Sequence, residues 1–354
     1  MSSDTTLPVS TQTDGSQETS EVFRGTAEGA TRLTDERSAS GTSAAAIPAF
    51  VFGEELADIA DHDPRIVVLT ADLAKANRAI DFEDRHPDRF LNLGIAEKNM
   101  ITVAAGMAAS GQIVYAATFA SFCALLGAEQ IRTDCAYPAV PVRVVGHHSG
   151  MSMGFYGTSH HSLEDIGMMR TIADLTVVCV SDANHLRGVL RASVDHPGAM
   201  YLRLGRGRDP QVYDEVPNIV FGTAIRLREG SDVALIVTGS EVHPALQAAE
   251  QLSAAGIEAR VIDMHTIKPL DVDEVLRAAD ECAAVITIEE ANRTGGLGSA
   301  VAEVLADHRR SVLFVRHGVP DEHVLIGPPG ALYAHYRLDT PGLVAVITET
   351  LKGV

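Results

Sequence analysis

The sequence predicts an α/β protein of two doubly wound domains behind a disordered N-terminal tail, and three observations predict it. From about residue 50, short apolar runs alternate with longer helical patterns, the order in which parallel strands and crossover helices follow one another. A polar stretch from Gly205 to Asn218, carrying Pro210 and Pro217, interrupts that alternation and reads as a linker. Before the alternation starts, Ser, Thr, Gly and acidic residues dominate, and they cannot bury enough apolar surface to offset their ordering entropy. The expected divisions are a disordered acidic tail over 1–45 and domains over 46–215 and 216–354.

In the first domain, strands are expected at Ile66–Leu69, Ile113–Ala116, Val142–Val145, Thr176–Val180 and Met200–Leu204, each a short run rich in apolar residues. Helices are expected at Phe50–Asp61, Ala96–Ser110, Ala124–Cys135, Leu163–Ile172 and Ala183–Asp195. In the second, strands are expected at Val233–Val237, Glu258–Ile262, Ala284–Ile288 and Val312–Val315, with helices at His243–Ala255, Asp271–Cys282 and Gly298–His308.

Composition narrows the function. The chain has 354 residues and a net charge of −19, which repels phosphate backbones and anionic lipid and argues against nucleic-acid or membrane-surface binding. No apolar run approaches the roughly 20 residues that span a bilayer. Cys123, Cys135, Cys179 and Cys282 are far apart and form no CxxC pair, so neither a zinc site nor a disulfide framework is indicated. A cytoplasmic chain is expected.

Three windows carry chemistry. In Leu91-Asn92-Leu93-Gly94-Ile95-Ala96-Glu97, an acidic residue falls in the first helical turn after a glycine, where it could simply complement the helix dipole. In Thr118-Phe119-Ala120-Ser121-Phe122, two aromatic residues follow a strand and could fill core or wall a flat heterocycle. The segment His147 to His161 is a Gly-rich, His-rich loop at the carboxyl end of a strand, where open α/β sheets place ligands. Gly150-Met151-Ser152-Met153-Gly154 matches a serine-hydrolase elbow, but the strand before it ends too early and more loop follows. Thr294-Gly295-Gly296-Leu297-Gly298 reads as a helix N-terminal turn or anion site. The loop histidines lack companion carboxylates at ligand spacing, so no metal residue is assigned in this chain.

Taken in order, Gly94-Ile95-Ala96-Glu97, Thr118–Phe122, the His148–His160 loop and Glu164-Asp165 resemble the pyrimidine-binding domain of transketolases. The second block, with Thr238-Gly239-Ser240-Glu241 and the Glu289–Gly298 turn, resembles the transketolase C-terminal domain. The Gly-Asp-Gly motif by which the family holds diphosphate and metal is absent, so the chain resembles the second half of a split enzyme. The resemblance implies thiamine diphosphate as cofactor, with Mg²⁺ (or Ca²⁺) held mainly by a partner carrying Gly-Asp-Gly, and an α₂β₂ heterotetramer. It implies transfer of a two-carbon ketol (glycolaldehyde) unit from a ketose donor to an acceptor. Glu97 would activate the aminopyrimidine; Ile95, Phe119, Phe122 and Asp72 would contact the cofactor. His148 and His160 would meet substrate oxygens, and Arg203 would grip an acceptor phosphate.

Departures from the family pattern point to an unusual acceptor and specialised metabolism. Tyr156 stands where sugar-phosphate transketolases carry a hydroxyl-reading aspartate, and the positions of a second phosphate-binding arginine and a serine fall on Ala49 and Ala76. The alternatives are the β subunit of a 2-oxoacid dehydrogenase and a non-catalytic scaffold subunit.

Overall fold

The computed structural model describes residues 48–206 and 209–352; the tail expected over 1–45 lies outside the described residues. The elements run α1 (Pro48–Ala60), β1 (Ile66–Thr70), α2 (Ile80–Arg85), β2 (Phe90–Asn92), α3 (Glu97–Ala109), β3 (Ile113–Phe119), α4 (Gly127–Gln130), β4 (Val142–His147), α5 (Asp165–Thr171), β5 (Thr176–Cys179), α6 (Ala183–Val194) and β6 (Met200–Arg203). The second block continues with β7 (Ile225–Arg228), β8 (Val233–Val237), α7 (Val242–Ser253), β9 (Ala259–Asp263), β10 (Thr266–Lys268), α8 (Val272–Glu281), β11 (Ala284–Asn292), α9 (Leu297–Asp307), β12 (Leu313–Val319), α10 (Pro329–His335) and α11 (Thr340–Leu351). Two π-helical turns, Phe122–Leu126 and Ile131–Ala136, flank α4, so the stretch expected as one helix is locally underwound on either side of a short α core.

Two sheets organise these elements, in strand orders β10-β5-β6-β4-β3-β1-β2 and β12-β11-β8-β9-β7. The interior strands are parallel, and every residue of β1, β3, β4 and β8 is buried, as expected where helices cover both faces. Alternate residues of β1 feed different cores: Val67 and Leu69 join one, Ile66 and Val68 the other.

The second block reaches into the first. Its strand β10 pairs antiparallel with β5 as the edge of the first sheet, and Ile236, Ile262, Met264 and Val285 share one continuous core with Val67, Val144 and Val177. The other additions to the sequence expectation are the short strands β2 and β7 and the helices α2, α10 and α11.

The polar segment expected as a linker is fixed in place. Asp182 caps α6 through the His185 N–H at 2.7 Å, and its other oxygen accepts the N–H groups of Val212 and Tyr213 at 2.6 and 2.8 Å. The Tyr213 hydroxyl donates to Asp263 at the end of β9 (2.8 Å), and the Ser181 hydroxyl approaches the same oxygen (3.1 Å). Both His185, 3.6 Å from that carboxyl, and Asp263 are fully buried.

Burial pushes Asp263 up to about 7, against the opposing hydrogen bonds from Tyr213 and Ser181. The folded chain then keeps a proton that the unfolded chain releases above pH about 4. This contribution to stability is present at low pH and is lost as pH rises towards 7. Burial holds His185 and His265 below their usual range, His265 down to about 4, and their contribution has the opposite sign, being lost as pH falls. In urea titrations across pH 4.5 to 7, Asp263→Asn is expected to lose the declining component, so its stability should rise more steeply with pH than that of the native chain. Parallel curves would mean that Asp263 is ionised throughout.

Candidate active site

Strands β3 and β4 end side by side, with Phe119 and His147 as register partners. After Phe119 the chain turns directly into the π-helical turn that carries Phe122, and the two rings lie 5.4 Å apart, tilted by 56°. His148 leaves β4 with φ 58°, a left-handed conformation that a non-glycine residue adopts at a cost of about 1 kcal/mol or more. That turn is held because the N–H groups of His148 and Ser149 donate to the carbonyls of Gly205 and Leu204, both at 3.1 Å. A bridge between Gly150 and Ser162 closes the loop and returns His160 to the same place. The result is a cluster: Phe119 lies 5.0 Å from His148 and 5.7 Å from His160, and Phe122 lies 5.3 Å from His160.

Burial holds His147, His160 and His161 below the usual imidazole range, His147 furthest because it is almost wholly enclosed and His148 adds to the effect, so these rings are neutral at pH 7. His147 Nδ1 is 2.6 Å from His148 Nδ1, and His160 Nδ1 is 2.9 Å from the Ser159 hydroxyl. Tyr156 is exposed, with its ring 4.9 Å from that of His160.

Glu97 opens α3, which packs against β3 and the turn holding Phe122. Its side chain is buried and has no hydrogen-bond or ion-pair partner among the described residues. Just before it, Ile95 is 83% exposed. Asp72 is exposed at the end of β1 with φ 60°. Its N–H and that of Gly94 (φ 72°) both donate to Asn92 Oδ1 at 3.0 Å, which ties the Asp72 turn to the Glu97 approach. Sequence reasoning passed over Asn92; its place two residues before a glycine was the available signal.

Arg203, expected to grip an acceptor phosphate, has its partners within the chain. Its guanidinium is buried and committed within the chain: Nε donates to Asp165 Oδ2 at 2.7 Å, and Nη2 donates to the carbonyls of Ser162 (3.1 Å) and Glu290 (2.7 Å). It joins β6, the His-rich loop and β11, and is not brought into the Phe119–His160 cluster. Glu290 braces the same loop from the second block. Its carboxyl accepts the Met151 N–H at 2.6 Å and the Ser240 hydroxyl at 2.9 Å, with the Tyr333 hydroxyl as a third donor. Gly150, with φ 60°, is required here because a Cβ would overlap that carboxyl. The strand expected to end at Ile288 runs on to Asn292, which brings Glu290, a residue the sequence does not single out, to the loop.

Both lesser motifs have structural explanations. The Ser152 hydroxyl donates to the Ser149 carbonyl at 2.6 Å, and a 3₁₀ stretch follows where an elbow needs a helix. The N-terminal turn of α9 is filled by the chain's own Glu289, which accepts the Leu297 and Gly298 N–H groups at 2.7 and 2.8 Å. Among the described residues no group of three or more His, Cys, Asp or Glu could hold a metal ion, and no helix is long and apolar enough to cross a membrane.

Comparison with known proteins gives a consistent result. Residues 49–210 match the family model of the transketolase pyrimidine binding domain, and residues 222–343 match that of the transketolase C-terminal domain. The chain is 37% identical over 302 residues to one of the subunits of the apulose-4-phosphate transketolase of Phocaeicola vulgatus, covering 85% of this chain and 96% of that protein. It is 40% identical over 253 residues to SqwH, a 6-deoxy-6-sulfo-D-fructose transketolase subunit of a Clostridium species, covering 72% and 79% respectively. A solved structure described as a split-gene transketolase, inactive β4 tetramer, superposes with a TM-score of 0.80 at 36% identity, covering 86% of this chain and 98% of that one.

Arg203→Met tests the structural commitment of the arginine. It would leave Asp165 buried with Tyr201 as its remaining hydrogen-bond partner, at an expected loss of about 3–5 kcal/mol in urea unfolding. A change within about 0.5 kcal/mol would show that the ion pair does not hold the fold.

Proposed function

This chain belongs to the transketolase family, and we propose that it is the half of a split transketolase that supplies the pyrimidine site and acts only with a partner subunit. The observation that carries this reading is the meeting of Phe119, Phe122, His148 and His160 at the carboxyl ends of β3 and β4, beside a helix that begins with the buried, unpartnered Glu97.

The residues present fit the pyrimidine end of thiamine diphosphate. Phe122 offers a half-buried ring with Phe119 behind it, Ile95 stands exposed next to the start of α3, and Glu97 is a carboxyl in want of a partner. When bound, the cofactor supplies the carbon nucleophile that carries a two-carbon unit between sugars. In this reading Glu97 hydrogen-bonds the aminopyrimidine ring nitrogen, and its burial shields that contact from water. His148 and His160 orient substrate oxygens, with the neutral His160 ring able to accept or donate a proton. Asp72, on its exposed turn, belongs to the cofactor and subunit contact. Arg203 acts indirectly, by holding the loop that bears both histidines.

The diphosphate and its Mg²⁺ or Ca²⁺ fall to the partner, since the sequence contains no Gly-Asp-Gly. Ile95, Leu125, Leu126, Phe155 and Tyr156 are about half exposed or more, and this apolar rim suits a surface that another protein chain covers. An α₂β₂ assembly in the cytoplasm is part of this reading. The relative described as an inactive β4 tetramer supports a requirement for the other half of the enzyme. Two relatives are named for apulose-4-phosphate and 6-deoxy-6-sulfo-D-fructose, both ketoses and so of the donor class; Tyr156 beside His160 supports an acceptor outside the common aldose phosphates.

Calorimetric titration of thiamine diphosphate with Mg²⁺ is expected to show tight binding by the reconstituted pair and not by this chain alone. Binding by the lone chain would overturn the shared site. In the pair, Glu97→Ala should lower turnover of a ketose donor by about 100-fold or more. Unchanged turnover would leave this chain a scaffold role.

A further inference from the structure

The three glycines of the His-rich loop all face the second block. A Cβ on Gly150 would overlap the Glu290 carboxyl, one on Gly154 would meet the Gly327 carbonyl, and one on Gly157 would meet the Ile326 side chain. Two of these approaches come from one short segment, 325–333, that leads into α10 and carries Tyr333. We propose that this segment is a strap that positions His148 and His160, with Tyr333 and Ile326 as its positioning residues. The inference rests on the reading of these histidines as substrate-facing groups of a transketolase site.

The first ground is Tyr333. Its hydroxyl donates to Glu290 Oε1, the same oxygen that accepts the Met151 N–H at 2.6 Å. The Ser240 hydroxyl donates to the other oxygen at 2.9 Å, so the carboxyl cannot turn without giving up a donor. Burial holds the Tyr333 hydroxyl well above the usual phenol range, and the Glu290 and Glu241 carboxyls push it the same way. The hydroxyl therefore keeps its proton to donate. Met151 lies three residues beyond His148, whose left-handed backbone (φ 58°) persists only where the chain around it is held.

The second ground is Ile326. Its side chain occupies the space that the missing Gly157 Cβ leaves, and the Gly157 carbonyl accepts the His160 and His161 N–H groups at 2.9 and 3.0 Å. One residue on, the Gly327 N–H donates to the Gly154 carbonyl at 3.2 Å. The strap thus meets the loop on the glycine that carries the His160 turn and on the one three residues before it.

The strap is itself anchored. Val324 and Leu332 are buried in the same core as Met151 and Leu163, so the two ends of strap and loop share their packing. Glu97, Phe119 and Phe122 stand on α3, β3 and the turn after β3, which hold them from the first block. Loosening the strap should therefore displace the histidines and spare the face read as the pyrimidine site.

The test compares the native chain with Tyr333→Phe and Ile326→Ala. In the full-length chain, amide hydrogen exchange over 148–161 should quicken by about ten-fold or more in each variant. In the reconstituted pair, thiamine diphosphate should bind with native affinity and stoichiometry, while kcat/KM for a ketose donor falls by about ten-fold or more. Native exchange over 148–161 would overturn the proposal, and so would faster exchange with native kcat/KM. A loss of activity matched by an equal loss of cofactor stoichiometry would also overturn it, since that marks fewer folded sites and not displaced histidines. If Tyr333→Phe fails to fold, Ile326→Ala, which removes no hydrogen bond, decides by the same measurements. Failure of the underlying reading looks different: the native pair would bind no thiamine diphosphate or turn over no donor, whatever the exchange in the variants.

Discussion

Arg203 ends a central strand where no water can solvate it, so its charge has to be met by protein. Asp165 answers it from the start of α5, and the carbonyls of Ser162 and Glu290 take the remaining donors. Tyr201, two residues earlier on the same strand, donates to the same Asp165 oxygen at 2.8 Å. A planar guanidinium with a fixed fork is pre-organised for these acceptors, where a flexible lysine would lose more freedom in meeting them. One buried cation thereby locks β6, the end of the His-rich loop and the second block into a single arrangement.

That lock explains how a loop this rich in glycine can be specific. Gly150 and Gly157 take conformations other residues resist, and freedom of that kind would blur the positions of His148 and His160. Glu290 removes the freedom by holding the Met151 N–H from the far block, while the bridge to Ser162 closes the ring. The second block thus has work in the site without lining it. It also supplies β10 to the first sheet and a large part of its core, so the two blocks share their packing as well as their polar contacts.

The polar interior between the blocks is arranged around carboxyls that burial keeps high. Asp263 and Glu289 are each pushed up to about 7, and Glu290 is raised as well. Each has donors close at hand: Tyr213 and Ser181, two α9 amides, and Met151 with two hydroxyls. Glu97 and Glu241 lack any such donor among the described residues.

Much of this was legible in the sequence, for a physical reason. Strands buried on both faces read as unbroken apolar runs, and Ile66–Thr70 and Val233–Val237 could be taken for little else. The windows around Phe119 and His148 were visible because each follows such a run, at the carboxyl ends of strands where α/β proteins build their sites; Glu97 stood out by its place in a first helical turn after a glycine. Short elements were not legible: three residues, as in Thr266–Lys268, carry no periodicity. Nor were long-range commitments. The resemblance implies a phosphate-gripping role for Arg203, and nothing in the sequence shows the three acceptors around its guanidinium, one of them from a strand 87 residues away. Composition and period fix which segments become strands and helices, since these depend on neighbours along the chain. Which polar side chains are satisfied and which are left open depends on partners that only the folded chain brings together.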